Sequence, residues 1–408
     1  MQIGVPKETK VHEYRVGLTP TSVAELVRDG HDVVVETGAG DGIGFGDADY
    51  IAAGARTAST EETFDQTLVI KVKEPSLAEC ARLGESQILF TYLHLAANPE
   101  LTRALIASGA TAIAYETVTA ADGSLPLLSP MSEIAGRMSV QVGAGTLQRI
   151  SALQHTTGGR GVLLGGVPGV APARVVVIGG GMAGANAATI ALGLGAEVAI
   201  LDKSVSRLRW LADRFDGRAK TIMANATTTS EYVRDADLVV GAVLVPGARA
   251  PKLVSAEDVR EMRDGSVLVD ISIDQGGCSE TSRPTSHDEP TFVQDGVVHY
   301  CVTNMPGVVP HTSTLALNNV TLPYIRTIAN KGWQAAVADD KHLADGLNVA
   351  GGTVWHDAVA ESVGIARPDA RRLEEVFETA RYTASPITYP DIEVPYSPNS
   401  PSSVTANA

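Results

Sequence analysis

Cysteine is scarce in this 408-residue chain. There are three, Cys80, Cys278 and Cys301, odd in number, far apart, and without a C-x-x-C pair. That excludes a disulfide framework and points to reduced thiols in a cytoplasmic protein. Long hydrophobic runs are missing too. No apolar stretch approaches the roughly 18 residues of a spanning helix, so no membrane crossing is expected. Met1 leads straight into an apolar strand pattern, Ile3–Val5, without the basic and apolar regions of a signal peptide. Basic side chains are in deficit. The 32 Lys and Arg against 47 Asp and Glu give a net charge of −15, which argues against nucleic acid or an anionic membrane as partner. His and Cys nowhere cluster at metal-ligand spacing, so no metal is expected, and no internal repeat is visible. What remains is an ordinary globular composition, 44% apolar and 19% charged, over a length that suits two domains.

One stretch organises the rest. Arg174–Asp202 opens on Val175–Ile178, a β-branched run of the kind that forms a strand buried on both faces. Gly179, Gly181 and Gly184 follow with G-x-G-x-x-G spacing, and Met182 and Ala183 sit between the second and third. Ala187, Ala188, Ile190 and Ala191 continue as a helix with small residues on its inner face. Val198–Leu201 is a second strand, ending on Asp202. Each part has a physical reason. The first glycine permits a tight turn, the second lets backbone approach a pyrophosphate, and the third brings helix close to strand. The helix N-terminus offers free N–H groups to phosphate. Asp202, 18 residues past Gly184, stands where it can accept hydrogen bonds from a ribose. With 40 glycines in the chain the spacing alone would mean little, but strand, glycines, helix, strand and acid in register predict a dinucleotide site.

The remaining chain alternates strand and helix. Gln2–Val5, Val33–Val35, Leu68–Val72, Ile88–Leu93 and Ala112–Tyr115 read as strands. Thr19-Pro20 and Asn98-Pro99 read as helix starts, and Gly38–Gly46, with five glycines, as a loop. Lys73 and His94 come directly after two of these strands. A long helical pattern begins at Ser129-Pro130 and runs through Ile134, Met138, Val142 and Leu147. Beyond the glycine-rich stretch and Asp202, Val239–Leu244, Val267–Ile271 and His299–Val302 are further strands, and Thr314–Lys331 is helical. Glu374–Tyr382 reads as a helix, and the Ser/Pro-rich Ser385–Ala408 as disordered. The pattern predicts an α/β protein of two Rossmann-like domains with parallel sheets, the nucleotide domain inserted into the substrate domain. The expected division is 1–130 and 309–367 for the substrate domain, 131–308 for the nucleotide domain with its linking helix, and 368–408 for a tail.

Several blocks carry a family resemblance. They are Gly4-Val5-Pro6-Lys7-Glu8 with Glu13-Tyr14-Arg15-Val16, Lys71-Val72-Lys73-Glu74-Pro75, Phe90-Thr91-Tyr92-Leu93-His94-Leu95, Pro130-Met131-Ser132-Glu133, Gly165-Gly166-Val167-Pro168-Gly169, Asp270-Ile271-Ser272-Ile273-Asp274-Gln275-Gly276-Gly277 and Asn304-Met305-Pro306. Over about residues 1–364 the chain resembles the alanine dehydrogenase and transhydrogenase nucleotide-binding subunit family. The resemblance implies reversible deamination of L-alanine to pyruvate and ammonia with NAD as hydride acceptor. It also implies a homo-oligomer, usually a hexamer, with a cleft between two domains. By the same resemblance His94 and Asp274 are catalytic, and Arg15 and Lys73 bind substrate. Ser132, Asn304 and Met305 line the cofactor or the cleft, together with Gly179, Gly181, Met182, Ala183, Gly184, Asp202 and Arg207.

The chemistry fits these assignments. An arginine fork suits a carboxylate, and attack of water on an iminium needs proton carriers nearby. A Lys73 held near Arg15 would have its charge disfavoured. Lys71 reads as a surface or structural residue, and Asp270 competes with Asp274 by spacing alone. Asp202 repels a 2′-phosphate and so favours NAD over NADP, while Lys203, Arg207 and Arg209 oppose that preference. Gly145–Thr157 is about six residues longer than the family's usual link, and Ser279 stands where relatives commonly carry an aromatic residue. Other readings stay open: a transhydrogenase component, a non-catalytic NAD sensor, a dehydrogenase for a larger amino acid, and glyoxylate as a second substrate.

Overall fold

The computed structural model describes residues 1–151, 156–245 and 249–365. The helix expected at Glu374–Tyr382, the Ser/Pro-rich end and the Pro246-Gly247 turn lie outside the described residues. The first unit carries strands β1 (Gln2–Val5), β2 (Asp32–Glu36), β3 (Arg56–Ala58), β4 (Leu68–Ile70), β5 (Ile88–Thr91) and β6 (Thr111–Ala114). A short antiparallel pair, β7 (Ile150–Ser151) and β8 (Thr156–Thr157), falls in the longer link segment. The second unit carries β9 (Arg174–Ile178), β10 (Glu197–Asp202), β11 (Lys220–Met223), β12 (Leu238–Gly241), β13 (Val267–Asp270), β14 (Thr291–Gln294) and β15 (Val297–Tyr300). The chain then returns as β16 (Leu347–Ala350) and β17 (Thr353–Val354).

The strands form an eight-stranded sheet, β3-β2-β1-β4-β5-β6-β16-β17, and a seven-stranded sheet, β11-β10-β9-β12-β13-β15-β14. Counting strands within each unit, the first sheet contains the order 3-2-1-4-5-6 and the second runs 3-2-1-4-5-7-6, so each has a switch point between its first and fourth strands. Ligands bind outside the carboxyl ends of strands at such points. The central strands are Val-, Leu- and Ile-rich and fully buried, because helices cover both faces. Both sheets are parallel except at one end. There β16 and β17 run antiparallel, as does β14 against β15. The sequence pattern did not mark these antiparallel strands, nor β3 and β11, which are short or only half-buried. The expected strand Leu68–Val72 ends its ladder at Ile70 and Ile88–Leu93 at Thr91, so the last apolar residues of each run turn into the loops that bear Lys73 and His94.

Two long helices join the units. Ser129–Thr146 crosses so tightly over Met182–Gly193 that a Cβ on Gly136 would lie 2.0 Å from the Ala183 carbonyl oxygen. Arg137 Nε also donates to Asn186 Oδ1 across this contact (3.0 Å). The return helix, expected from Thr314, begins at Pro310 and runs to Lys331 with Pro323 inside it. It reaches the first unit through Asn318, whose Oδ1 accepts from Thr19 N–H (2.8 Å) and whose Nδ2 donates to the Gly17 carbonyl (3.1 Å). Arg326 adds a bidentate pair with Asp29 at 2.6 and 2.8 Å.

Candidate active site

The substrate-side residues hang from the carboxyl ends of β1, β4 and β5. Arg15, in the loop after β1, is 2% exposed, not a surface arginine. Its Nε and Nη2 donate to Glu13 Oε1 and Oε2 at 2.7 and 2.6 Å, Nη2 also to Asn304 Oδ1 (2.8 Å), and Nη1 to Met131 Sδ (3.1 Å). Glu13 therefore fills one edge of the fork, while Nη1 meets only the weak acceptor Met131 Sδ among the described residues. Burial alone would push the Glu13 carboxyl up, but the Arg15 hydrogen bonds and charge outweigh it and hold Glu13 below the ordinary carboxylate range.

Lys73 lies 3.8 Å from Glu74 Oε2, and Glu74 is also bonded to Lys10. Each of these two cations thus has an acid beside it, Glu13 for Arg15 and Glu74 for Lys73. Lys71 is structural and 0% exposed. It donates to Glu8 and Glu79 at 3.1 Å each, and Glu8 in turn accepts the backbone N–H groups of Val72 and Lys73 at 2.7 and 3.2 Å. His94 is 45% exposed at its side chain and takes a left-handed φ of 51°. Its ring lies parallel to Tyr92, centroids 5.9 Å apart.

The nucleotide side shows why its glycines are needed. Gly179 has φ 96°, and a Cβ there would meet the Ala242 carbonyl oxygen at 2.6 Å. A Cβ on Gly184 would lie 1.8 Å from the Gly179 carbonyl oxygen, whereas one on Gly181 would meet nothing within 4 Å. Gly181 therefore faces open space at the start of the Met182–Gly193 helix, the geometry a pyrophosphate requires. Met182 is exposed and Ala183 half-buried beside it, as is Ser132 on the crossing helix. Asp202 ends β10 and accepts Gly180 N–H and Ser204 N–H, both at 2.8 Å. Arg207 donates to the Gly180 carbonyl and lies 4.0 Å over the Trp210 ring, so the base nearest the loop is engaged with protein. Gly184→Ala is expected to lower NADH affinity at least about tenfold and to destabilise the fold by about 1–3 kcal/mol through overpacking. Fluorescence titration and thermal melting check this, and unchanged NADH binding would count against the tight turn as a requirement.

Asp274 and Asp270 part company in the structure. Asp270 is fully buried and accepts from Ser272 N–H, Cys278 N–H, Ser279 N–H and Ser282 Oγ–H at 2.6 to 3.3 Å. It organises the turn that presents Asp274. Asp274 itself is exposed, and its Oδ1 accepts from Asn304 N–H at 3.3 Å. Asn304, in a left-handed turn with φ 55° after β15, also donates from Nδ2 to Glu13 Oε2 (2.9 Å). One residue of the second unit thus ties Arg15 and Glu13 to Asp274 across the cleft. Met305, expected to line the cofactor, is 2% exposed and packed in the main core, so its side chain offers no free face. Ser279, the departure after Cys278, joins a buried chain through Thr281 to His299, at 2.9 and 2.8 Å. Sequence reasoning did not single out Glu13 or Glu74. The signal available was adjacency, since each lies within two positions of a cation expected to bind substrate, Arg15 or Lys73.

The comparisons with known proteins agree with this geometry. A model described as "Alanine dehydrogenase/PNT, N-terminal domain" matches residues 4–135, and one described as "Alanine dehydrogenase/PNT, C-terminal domain" matches residues 139–357. Over 375 residues the chain is 59% identical to the alanine dehydrogenase of Halomonas elongata, covering 91% of this chain and 100% of that one. A solved L-alanine dehydrogenase superposes with a TM-score of 0.85 at 54% identity, over 89% of this chain and 99% of its own. A transhydrogenase from Sinorhizobium meliloti superposes at 0.75 with 26% identity, over 88% and 100%. With both units matched in order along nearly their whole length, the chain belongs to the alanine dehydrogenase/PNT family.

Proposed function

We propose that this chain reversibly deaminates L-alanine to pyruvate and ammonia, with NAD as the nicotinamide cofactor. The observation that carries the reading is the hydrogen-bonded run from Arg15 and Glu13 through Asn304 to Asp274, which sets a carboxylate binder and an exposed acid together where the two units meet. A hydride carrier without an amino-acid site has no use for that run. When bound, the dinucleotide supplies a hydride acceptor for the substrate Cα. Gly179, Gly181 and Gly184 would leave room for its pyrophosphate, and Asp202 would hold its ribose.

The chain's own groups do the rest. Arg15 Nη1 donates to the substrate carboxylate, and Glu13 holds the fork still while matching its charge. Lys73 donates to the same carboxylate or to the carbonyl oxygen. Asp274 accepts a proton from the water that attacks the substrate imine carbon. Asp274 returns that proton to the carbinolamine nitrogen while His94 takes the hydroxyl proton, so that the C–N bond breaks with neutral ammonia leaving. Glyoxylate is a second substrate of the reverse reaction, because a small pocket cannot sharply reject a compound lacking one methyl group. The family also supports a homo-oligomer, probed as a hexamer by light scattering, and a cytoplasmic site of action. The low cysteine content supports the latter, and no helix among the described residues is long and apolar enough to cross a membrane.

The test is NADH oxidation with ammonia and a panel of pyruvate, glyoxylate, 2-oxobutyrate and 2-oxoglutarate, with NADPH in parallel. Ammonia-dependent turnover on pyruvate is the expected result. NADH binding without turnover on any keto acid would favour a transhydrogenase component instead. Asp202→Ala is expected to raise NADPH use relative to NADH at least about tenfold, since like charges about 4 Å apart near a protein surface repel by about 4 kcal/mol. An unchanged ratio would remove Asp202 as the selectivity determinant.

A further inference from the structure

We infer that Glu116 is a positioning residue of this reaction, acting through His94; the inference rests on the reading above. The β5–β6 ladder ends at the pair Thr91 and Ala114. Beyond that pair, the Glu116 carboxylate stands in for the missing strand. It sits in the short 3-10 turn Tyr115–Thr117 after β6, and it accepts Leu93 N–H through both oxygens at 3.2 Å and His94 N–H at 2.6 Å.

This matters because His94 adopts a left-handed conformation that an L-residue takes only at an energetic cost. Charge-assisted bonds to two successive N–H groups hold the chain in that turn. The same carboxylate oxygen lies 3.9 Å from His94 Nδ1. That is too far for a hydrogen bond, but it sets a carboxylate beside the ring. The Tyr92 ring, fixed by its hydroxyl donating to the Leu127 carbonyl (2.6 Å), lies parallel to the imidazole. The ring is thus framed by Tyr92 on one face and Glu116 toward Nδ1, which leaves Nε2 as the nitrogen to exchange protons with substrate. The Glu116 side chain is 14% exposed, and its contacts are to the segment that carries the histidine.

The test compares Glu116→Gln, Glu116→Ala, His94→Ala and the double variant His94→Ala/Glu116→Gln in the full-length protein, with wild type in the same assay. Gln keeps a neutral acceptor for the backbone N–H groups but loses the charge. Glu116→Gln should lower kcat about 10- to 100-fold, with the KM for pyruvate and the NADH Kd within about twofold. Glu116→Ala should fall further, and the conservative Gln should recover part of that loss. In the His94→Ala background, Glu116→Gln should cost nothing more, because the group it acts through is gone. Wild-type kcat in Glu116→Gln would overturn the proposal. So would a loss that adds in full to that of His94→Ala, or one accompanied by equal loss of NADH binding and melting temperature. Absence of keto-acid turnover in the wild type would overturn the proposed reaction itself, and the positioning role with it.

Discussion

Asp274→Asn is expected to lower turnover by about 10²- to 10⁴-fold, the range that a positioned general acid or base contributes. NADH binding should stay within about twofold. The reason is local. Asp274 is exposed at the end of the turn after β13, and its hydrogen bond among the described residues comes from Asn304 N–H, which the amide oxygen of asparagine can still accept. The fold and the glycine turn at β9 are therefore untouched, and what disappears is a carboxylate able to take a proton from water. Asp270 cannot take over, because four donors already enclose it in the core. Steady-state kinetics and NADH fluorescence titration check this, and near-wild-type rates would remove Asp274 from the mechanism.

Arg15→Ala should raise the KM for pyruvate about 10- to 100-fold, since hydrogen bonds to charged groups are worth about 1.5–3 kcal/mol. It should also destabilise the protein by about 3–5 kcal/mol, because Glu13 is left buried without its cation. The two effects separate with pH. In the wild type the folded-state Glu13 pKa is depressed below the ordinary carboxylate value. Its stabilising contribution is therefore present at neutral pH, above the unfolded carboxylate's pKa of about 4.3, and is lost as pH falls through the lower folded value. In the variant, burial without Arg15 raises the Glu13 pKa, so the carboxyl protonates and its penalty shrinks on acidification. The gap in melting temperature between wild type and variant should then be widest near pH 7–8 and should narrow towards pH 5. A gap independent of pH would show that the loss comes from packing, and an unchanged KM would count against the carboxylate role. Glu13→Gln should reproduce part of the stability loss, as a neutral partner for a buried guanidinium.

Much of the fold is local and so legible without coordinates. Val175–Ile178 has to be a buried parallel strand, because nothing polar interrupts it. Gly179 and Gly184 have to be glycine, because a Cβ would strike the Ala242 and Gly179 carbonyl oxygens. The Gly184 constraint is set by a residue close in sequence and the Gly179 constraint by the chain just after β12, and the glycine spacing displays both. The antiparallel strands that were not legible, β14, β16 and β17, are short additions beside a finished parallel sheet. β14 and β17 fold back on β15 and β16, and β16 is held by β6 from far along the chain; none of the three has a periodic pattern of its own.

The site divides along the same line. The residue types at Arg15, Lys73, His94 and Asp274, and their places after strands, are properties of the sequence. Which group neutralises or holds each of them is decided by tertiary structure. Glu116 reaches His94 from the neighbouring strand, 22 positions away, and Glu8 reaches Lys73 from 65 positions away. Asn304 meets Arg15 across 289 positions, and no pattern in the intervening chain announces that meeting. Burial, and not type or spacing, distinguishes Asp270 from Asp274, four residues apart. N–H and O–H donors enclose the first in the core, while the second is exposed where Asn304 meets it. Desolvation and charge pairing depend on what lies within a few ångströms in space, and that is the information a linear sequence carries least directly.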